Sequence, residues 1–150
     1  QQVLGVFEDA LVIRTSAFFG PWDKYNFAWN TLSALARGEP VRASRTTAVS
    51  PTYVPDLCHA TLDLLVDGET GIWHLANQGK LSWHEFATHV AAGAGYDPSL
   101  VLPVEEKPAN TALTSTRGMM LRRVEDAIQD YLGSIGELPA ARTEFDVAAE

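Results

Sequence analysis

The stretch ALVIRTSAFFGPWDKYNF, from Ala10 to Phe27, decides the fold of this chain. It opens with branched apolar residues as far as Thr15, and Gly20-Pro21 comes soon afterwards. That order predicts a strand over Ala10–Thr15 followed by a loop. Because the strand is largely apolar on both faces, it is typical of a parallel sheet that is covered on both sides.

The next two helices are indicated by the spacing of apolar residues and by residues that start and stop helices. The first spans Asn26–Gly38, with a glycine at its end. An extended stretch at Val41–Ala43 and an extended connection at Ser50–Tyr53 lead to the second helix. That helix is predicted to begin at an Asp56 cap and to end near Val66.

The second half of the chain contains one more predicted strand and two more helices. The strand covers Gly71–Ala76. A capping box at Ser82–Glu85 opens a helix that a glycine ends at position 93 or 95. The segment Tyr96–Gly118 contains three prolines and is predicted to be mostly irregular, and a last helix covers 124–133.

This alternation of strands and helices indicates an α/β fold, although only two strands are strongly predicted. One domain is expected over residues 1–136, with 137–150 as a polar, alanine-rich and frayed tail. The segment Gln1–Leu4 has no initiator methionine and reads like the end of a helix. We therefore expect the chain to be an excised domain or a proteolytic remnant.

Composition excludes several classes of function. With 150 residues, 46% of them hydrophobic, the chain has the size of one ordinary domain. A formal net charge of -8 argues against nucleic acid or an anionic membrane as a partner, because both require clustered Lys and Arg. No apolar run approaches the roughly 20 residues of a membrane span. The single cysteine, Cys58, lies in an apolar helical pattern, which predicts a small buried side chain in a reducing cytoplasm.

The four histidines are not spaced as metal ligands. His84 and His89 are five residues apart and so lie on different faces of a helix, and His59 has no ligand partner at a suitable distance. His74, within a strand, is predicted to be a hydrogen-bonded structural group. We predict no metal site.

A second segment, AVSPTYVPDL from Ala48 to Leu57, completes a pattern that points to one enzyme family. Arg-Thr-Ser at 14–16 with Gly20, followed by Ser-Pro-Thr-Tyr-x-x-Asp-Leu at 50–57, resembles the second half of an extended short-chain dehydrogenase/reductase. The resemblance is closest to the dTDP-4-dehydrorhamnose reductase family and covers Leu4 to about Leu132. It implies the C-terminal part of an NAD(P)-binding, Rossmann-like fold, in which a small substrate lobe lies over the carboxyl ends of the strands.

The nucleotide-binding half and the catalytic pair of that family are absent from the sequence. No Gly-x-x-Gly-x-x-Gly or Gly-x-Gly-x-x-Gly turn follows an apolar strand, so no backbone cradle is offered to a dinucleotide pyrophosphate. No tyrosine has a lysine four residues later, because that place is taken by Trp29, Leu57, Leu100 and Ile135. We predict that this chain alone binds no nicotinamide cofactor and has no catalytic residue, whereas NADPH or NADH is implied for a full-length parent.

The resemblance implies a set of substrate contacts. It puts Ser16 and Ala17 beside the nicotinamide and the sugar, with Ser16 also contacting the cofactor. Asn26 and Thr47 are further substrate-binding candidates, and the alternative for Asn26 is a helix N-cap. Lys107 belongs to a Lys-Pro-Ala stretch that resembles the family's Arg-Pro-Ala. It is expected to face the substrate diphosphate, the alternative being a solvated surface lysine.

Departures from the family pattern leave other roles open. The family usually has Trp in place of Ala17 and commonly has Asp-Gln in place of Thr46-Thr47, so the polar reach toward a substrate is reduced. Thr15 and Ser16 would otherwise end the strand through local backbone hydrogen bonds. Trp22 and Trp29 are predicted to be packing residues and not stacking platforms for a nucleotide base, and an exposed Trp22 would reopen that question.

The function implied by the resemblance is that of the substrate-binding portion of an NAD(P)-dependent reductase of nucleotide sugars. Its partners would be the nucleotide-sugar substrate and the missing N-terminal half. The rivals are a non-catalytic binding or regulatory module, as in the regulatory subunit of methionine adenosyltransferase, and a domain fused to another enzyme. Because a bare sheet face would be exposed, we expect self-association through the end of the first strand and the helix over Asn26–Gly38, most simply as a homodimer. A self-capped monomer is the alternative.

Overall fold

The computed structural model describes residues 5–7, 9–118 and 121–136, and this part of the chain has a mixed α/β fold. The expectations for Gln1–Leu4 and for the tail 137–150 lie outside the described residues. The helices are α1 (Phe27–Ala36), α2 (Val54–Val66), α3 (Trp83–Gly93) and α4 (Val124–Ser134). The strands are β1 (Leu11–Arg14), β2 (Phe18–Phe19), β3 (Val41–Ser44), β4 (Thr47–Val49), β5 (Thr52–Tyr53), β6 (Gly71–His74), β7 (Asn77–Gln78), β8 (Leu81–Ser82), β9 (Val101–Val104), β10 (Ala109–Asn110) and β11 (Leu121–Arg123).

Short strands form several small pairings, most of them parallel. β1 and β6 run side by side from Leu11 opposite Gly71 to Arg14 opposite His74. The pairs β2–β5, β3–β9 and β7–β11 are also parallel, and β4 lies between β10 and an antiparallel β8. The carboxyl ends of β1 and β6 therefore meet at one edge, where open α/β sheets bind their ligands.

β1 is less buried than its sequence predicts. Leu11, Val12 and Ile13 are half-buried and Arg14 is exposed. In the described part of the chain β6 is the only strand beside β1, so its other edge is open. α2 covers one face of this pair, where Leu11 and Ile13 pack around a small cluster formed by Leu64, Trp73 and Leu75.

The main core joins three helices around an aromatic cluster. Phe19 is 1% exposed, and its ring centroid lies 5.3 Å from that of Tyr53, 5.2 Å from Phe86 and 5.6 Å from Tyr131. Residues of α1, α3 and α4 complete this cluster. A second cluster fills the space between α1, α3 and the β3–β9 pair and consists of Leu35, Ala43, Ala87, Ala91 and Val101.

The predicted start of α2 is wrong. The helix begins at Val54, because the fixed φ of Pro55 suits the first helical turn. Tyr53 occupies the N-cap position, and no side chain caps the helix. Asp56 lies inside that turn, and its carboxylate accepts hydrogen bonds from Arg122 and Asn77 instead. The predicted end of α4 also differs, because the helix continues through position 133 to Ser134.

The segment Tyr96–Gly118 contains more regular structure than predicted. A 3₁₀ turn at Pro98–Leu100 leads into β9, and β10 follows. Both strands form through distant partners, β3 and β4, which local patterns cannot reveal. Pro103 is tolerated in β9 because this strand has one neighbour in the described part, so its other edge needs no N–H donor.

The prediction that Cys58 is buried is wrong. Its thiol lies on the exposed side of α2. Leu64 is the buried residue of this helix, whereas Leu62, Leu65 and Val66 are exposed. α2 thus carries an apolar strip that no described residue covers, and an apolar pattern alone does not tell which side of the helix is covered.

The capping box at the start of α3 is confirmed. Ser82 Oγ accepts from the Glu85 N–H at 3.1 Å, and Glu85 Oε2 accepts from the Ser82 N–H at 2.7 Å. The bonds from Ser82 hold the pKa of Glu85 below its ordinary value. Two of the N–H groups that a helix start leaves unpaired are therefore satisfied.

Replacing Ser82 by alanine should lower the free energy of unfolding by about 0.5–2 kcal/mol, because the Glu85 N–H loses its partner. Urea unfolding measures the change. Ser33→Ala, in the interior of α1, is the matched control and should cause no loss, because alanine favours helix more than serine. Equal stability of the Ser82→Ala variant and the wild type would contradict the assignment.

Candidate functional site

Ser16 and Ala17 occupy a sharp turn at the carboxyl end of β1. Both are half-buried, and Ala17 has a φ of +48°, a left-handed conformation that non-glycine residues rarely adopt. The Ala17 carbonyl accepts a hydrogen bond from the Thr52 N–H at 3.0 Å. The turn directs the chain into β2 and places Ala17 against β5.

Thr47 and Lys107 lie on neighbouring segments of one small sheet. Thr47 opens β4 opposite Ala109 of β10, two residues after the exposed Lys107. The preceding residue, Thr46, donates from Oγ1 to the Glu106 carbonyl at 2.9 Å and accepts from the Glu106 N–H at 3.2 Å. The structure thus brings the two predicted contacts close to each other, 60 residues apart in sequence.

Asn26 is the buried N-cap of α1. Its Oδ1 accepts from the Trp29 N–H at 2.9 Å, and its Nδ2 donates to the carbonyls of Gly20 at 3.1 Å and Asp23 at 2.6 Å. Backbone groups therefore occupy both N–H donors of the amide and one lone pair of its oxygen. A substrate group that accepts a hydrogen bond from Asn26 would have to replace one of the two donated bonds.

Two expectations about neighbouring residues do not hold. Thr15 Oγ1 is buried without a hydrogen-bond partner, so this residue does not end β1 through a local backbone bond. Trp22 is 77% exposed, so it is not a packing residue. The nearby Tyr25 is 91% exposed, so the loop before α1 presents two aromatic side chains to solvent.

A cavity of about 700 Å³ lies between the start of α2 and α4. Arg122 crosses it, donating to Asp56 at 2.8 Å and to Asp130 at 2.5 Å, with its guanidinium 5.6 Å from the centre of the Tyr53 ring. The bond to Asp56 is the main reason that the pKa of Arg122 is raised. One guanidinium pairs with two carboxylates, so the network joins α2 to α4 and leaves Arg122 without a free positive charge for a ligand.

A second cavity, of about 260 Å³, lies at the carboxyl ends of β1 and β6. Its lining comprises the last residues of the two strands and a stretch that precedes β11: Arg14, Ile72, His74, Ser115, Thr116 and Arg117. Arg14 Nη1 is 3.4 Å from His74 Nε2, and His74 Nδ1 is 2.9 Å from the Thr114 carbonyl. The prediction that His74 is hydrogen-bonded is confirmed.

None of the five predicted site residues lines either cavity, or a third one bounded by Arg45, Ser82, His84, Glu85 and Pro103. Sequence reasoning missed the grouping of Arg14, His74 and Arg117. A signal for the first two was present, since each lies within two residues of the end of a predicted strand and parallel strands meet at their carboxyl ends. Arg117 joins them through tertiary contacts alone.

Tyr131 carries a buried hydroxyl that has no hydrogen-bond partner. Burial raises the pKa of this phenol to about 12. The neighbouring Asn26 amide opposes that shift, although its geometry falls short of a hydrogen bond. The folded protein therefore keeps a proton that the unfolded chain releases at lower pH.

The Tyr131 hydroxyl should make the fold sensitive to alkali. An unfolded tyrosine ionises near pH 10, so the free energy of unfolding should fall as pH rises from about 10 to 12. Tyr131→Phe should remove this part of the fall and raise stability at pH 7 by about 1 kcal/mol, because no unpaired hydroxyl remains buried. Urea unfolding at several pH values tests this against the exposed control Tyr25→Phe, and equal alkali sensitivity of the two variants would contradict it.

The described residues offer neither a metal centre nor a membrane-spanning helix. Within residues 5–7, 9–118 and 121–136, no group of three His, Cys, Asp or Glu side chains is arranged to hold a metal ion. No helix in the same ranges has the length and apolar character needed to cross a bilayer.

The parallel β1–β6 pair, the covering helix α2 and the core formed by α1, α3 and α4 define a class of protein. They form the C-terminal part of a Rossmann-like extended short-chain dehydrogenase/reductase fold, and solved structures of that class superpose on the chain. The RmlD substrate binding domain model matches residues 1–129, so the chain belongs to the RmlD substrate-binding domain family.

Individual relatives agree with this membership. The chain is 31% identical over 150 residues to dTDP-4-dehydrorhamnose reductase of Mycolicibacterium smegmatis, covering 90% of this chain and 46% of the relative. It is 29% identical over 136 residues to the spore coat polysaccharide biosynthesis protein SpsK of Bacillus subtilis, covering 83% and 47%. The structure of dTDP-4-dehydrorhamnose reductase from Bacillus anthracis in complex with NADP matches with a TM-score of 0.73 and 25% identity, covering 81% and 46%. The chain thus spans about half the length of these relatives.

Proposed function

We propose that this chain is the substrate-binding portion of an NAD(P)-dependent, dTDP-4-dehydrorhamnose reductase-like oxidoreductase that acts on a nucleotide sugar in the cytoplasm. The observation that carries the proposal is the continuity of three segments. The Ser16–Ala17 turn is bonded to Thr52, the β4–β5 segment leads from there to Thr47, and β10 pairs with β4 near Lys107. A ligand that extends from the Ser16–Ala17 turn along β4 to β10 would contact predicted substrate-binding residues at both of its ends.

The chain's own residues do not fit a nicotinamide dinucleotide. The sequence has no glycine-rich turn after a strand and no Tyr-x-x-x-Lys pair, so neither the pyrophosphate cradle nor the proton donor is present. In this proposal the missing N-terminal half supplies both. The substrate portion holds and orients the sugar nucleotide, with Ser16 and Ala17 nearest to the reacting end.

A non-catalytic binding or regulatory module remains the second candidate. Two sequence features favour it, Ala17 where the family usually has Trp and Thr46-Thr47 where it commonly has Asp-Gln. The coding sequence upstream of this chain distinguishes the two. A glycine-rich turn and a Tyr-x-x-x-Lys pair there would support the reductase, and their absence would support the module.

Ligand titration tests the proposal directly. Calorimetry with dTDP-rhamnose should show binding to the chain, and Lys107→Gln should weaken it, with Lys80→Gln as the exposed matched control. NADPH and NADH should not bind with a dissociation constant of about 1 μM, which corresponds to a binding free energy of about −8 kcal/mol. Failure of the sugar nucleotide to bind, or micromolar binding of either dinucleotide, would contradict the proposal for this chain.

Self-association stays a prediction. The exposed strip on α2 and the open edge of β1 support it, because burial of apolar area contributes roughly 25 cal/mol per Å². Sedimentation equilibrium should show a mass that rises above 16.3 kDa with concentration. A constant mass would support a monomer. In that case the strip on α2 and the open edge of β1 would be surfaces that the missing half covers.

A further inference from the structure

Two segments of the chain run side by side in parallel without staying in one register. The first pairing, of β3 with β9, extends to Ser44 opposite Val104, and the Arg45 N–H then donates to the Val104 carbonyl at 3.1 Å. The second pairing, of β4 with β10, begins with Thr47 opposite Ala109. Between the two pairings, the segment of β9 and β10 therefore has two more residues than the segment of β3 and β4.

The two extra residues are Lys107 and Pro108. Thr46 is bonded to Glu106, and the next residue, Thr47, already lies opposite the start of β10, so Lys107 and Pro108 have no counterpart. We call these two residues the Lys107 bulge. Pro108 suits a bulge because it has no N–H that would need a partner. Extra residues in a strand are frequent next to functional sites, where they re-aim a side chain.

The side chain of Thr46 closes the pairing immediately before the bulge. Its Oγ1 donates to the Glu106 carbonyl at 2.9 Å and accepts from the Glu106 N–H at 3.2 Å. A hydroxyl can make both bonds because it has a donor hydrogen and acceptor lone pairs. The carboxylate of an Asp, which the family commonly has at this place, could accept from the N–H but could not donate to the carbonyl.

Ser44 supports this arrangement from below the bulge. It is buried, and its Oγ lies 3.3 Å from Thr46 Oγ1 and accepts from the Thr47 N–H at 3.2 Å. Because the Thr46 hydrogen is used by the Glu106 carbonyl, Ser44 is the donor in the contact between the two hydroxyls. The Thr46 hydroxyl is therefore fully engaged within the protein.

Lys107 carries a charge that no described carboxylate pairs with. Its side chain is exposed, and none of the ion pairs in the described part of the chain includes it. The nearby cation Arg45 is instead paired with Glu105 at 3.1 Å. A lysine offers an anion one compact charge on a long flexible stem, so its backbone decides where that charge can reach.

We infer that Thr46 is a positioning residue that holds the Lys107 bulge and thereby sets where the Lys107 ammonium meets an anionic ligand. The inference rests on the proposed function, in which Lys107 faces the diphosphate of a nucleotide sugar. It gives Thr46 a role through the backbone of Glu106 and not through contact with the substrate. The departure from the family's Asp thus strengthens the attachment of the bulge while it shortens the polar reach.

NMR relaxation of the free 150-residue chain tests whether Thr46 holds the bulge. The order parameter of the Lys107 amide should be about 0.85 in the wild type and below about 0.6 in Thr46→Val, which loses the hydroxyl. Thr46→Ser keeps a hydroxyl and should retain the wild-type value. The matched control is Thr61→Val, which removes a hydroxyl bonded to the Leu57 carbonyl in α2 and should leave Lys107 rigid. A mobile Lys107 in the wild type, or a rigid one in Thr46→Val, would overturn the inference.

Calorimetry with dTDP-rhamnose tests whether Thr46 acts through Lys107. Thr46→Val should weaken binding about fivefold or more, Thr46→Ser should restore it, and Thr61→Val should leave it unchanged. Combining Thr46→Val with Lys107→Gln should weaken binding no more than Lys107→Gln alone, because residues that act as a unit do not contribute additively. Additive losses would mean that Thr46 contacts the ligand independently, which contradicts the inference.

The two measurements separate this inference from the proposed function. If the wild type binds dTDP-rhamnose and Thr46→Val binds it equally well, the inference is wrong and the proposed function stands. If the wild type does not bind dTDP-rhamnose, the proposed function is wrong. The order parameters then still decide whether Thr46 fixes the backbone at Lys107, because they are measured without a ligand.

Discussion

Replacing Phe19 by alanine is expected to lower the free energy of unfolding by about 3–5 kcal/mol. Phe19 lies at the centre of the aromatic cluster and contacts the rings of Tyr53, Phe86 and Tyr131. These residues belong to β5, α3 and α4, so the cavity left behind would loosen three elements at once. Urea unfolding followed by tryptophan fluorescence and circular dichroism would measure the loss.

The neighbouring Phe18 provides the control. It belongs to the same strand, β2, but its side chain is 52% exposed because successive residues of a strand point to opposite faces. Phe18→Ala should change stability by no more than about 0.5 kcal/mol. Comparable losses in the two variants would show that the core is not built around Phe19.

Replacing Asn77 by alanine is expected to cost about 3 kcal/mol, because buried polar groups that lose their partners pay the full loss of solvation. Asn77 is 0% exposed. Its Oδ1 accepts from the Tyr53 N–H at 2.7 Å, and its Nδ2 donates to Asp56 at 2.8 Å and to the Arg122 carbonyl at 3.1 Å. One amide thus joins β5, α2 and β11.

The adjacent Gln78 is the matched control for this variant. It is also in β7, but its side chain is exposed. Gln78→Ala should stay within about 0.5 kcal/mol of the wild type. A loss below about 1 kcal/mol for Asn77→Ala would mean that water replaces its bonds and that the network around Arg122 does not depend on it.

Helix boundaries followed from the sequence where capping was local. The Ser82–Glu85 box could be predicted because both of its bonds form within one turn. The start of α2 could not, because a distant residue decides the role of Asp56: its carboxylate accepts from Arg122, 66 positions along the chain. Asp56 is a good capping residue, but its charged hydrogen bond with Arg122 is stronger than a bond to the backbone N–H groups of the helix start.

In the candidate site, too, some features could be predicted from local sequence and others depended on tertiary contacts. The Arg-Thr-Ser and Ser-Pro-Thr-Tyr segments carried the family resemblance, and the family match over residues 1–129 agrees with it. The proximity of Thr47 to the Lys107 stretch depended on β10 pairing with β4, for which no local pattern exists. The sequence allowed Asn26 to be either a substrate contact or a helix N-cap. In the structure its amide caps α1 and bonds to backbone groups.

The sequence by itself determined the α/β class, the helices with local caps, the family and the absence of a glycine-rich cofactor turn, because each of these depends on residues close together in the chain. Tertiary structure decided which faces are covered. It exposed Cys58 and Trp22, left β1 half-buried, and placed Arg117 against Thr70 and Trp73 of the β6 region. Burial and charge pairing depend on contacts between distant segments, and a local pattern carries no information about which segments will meet.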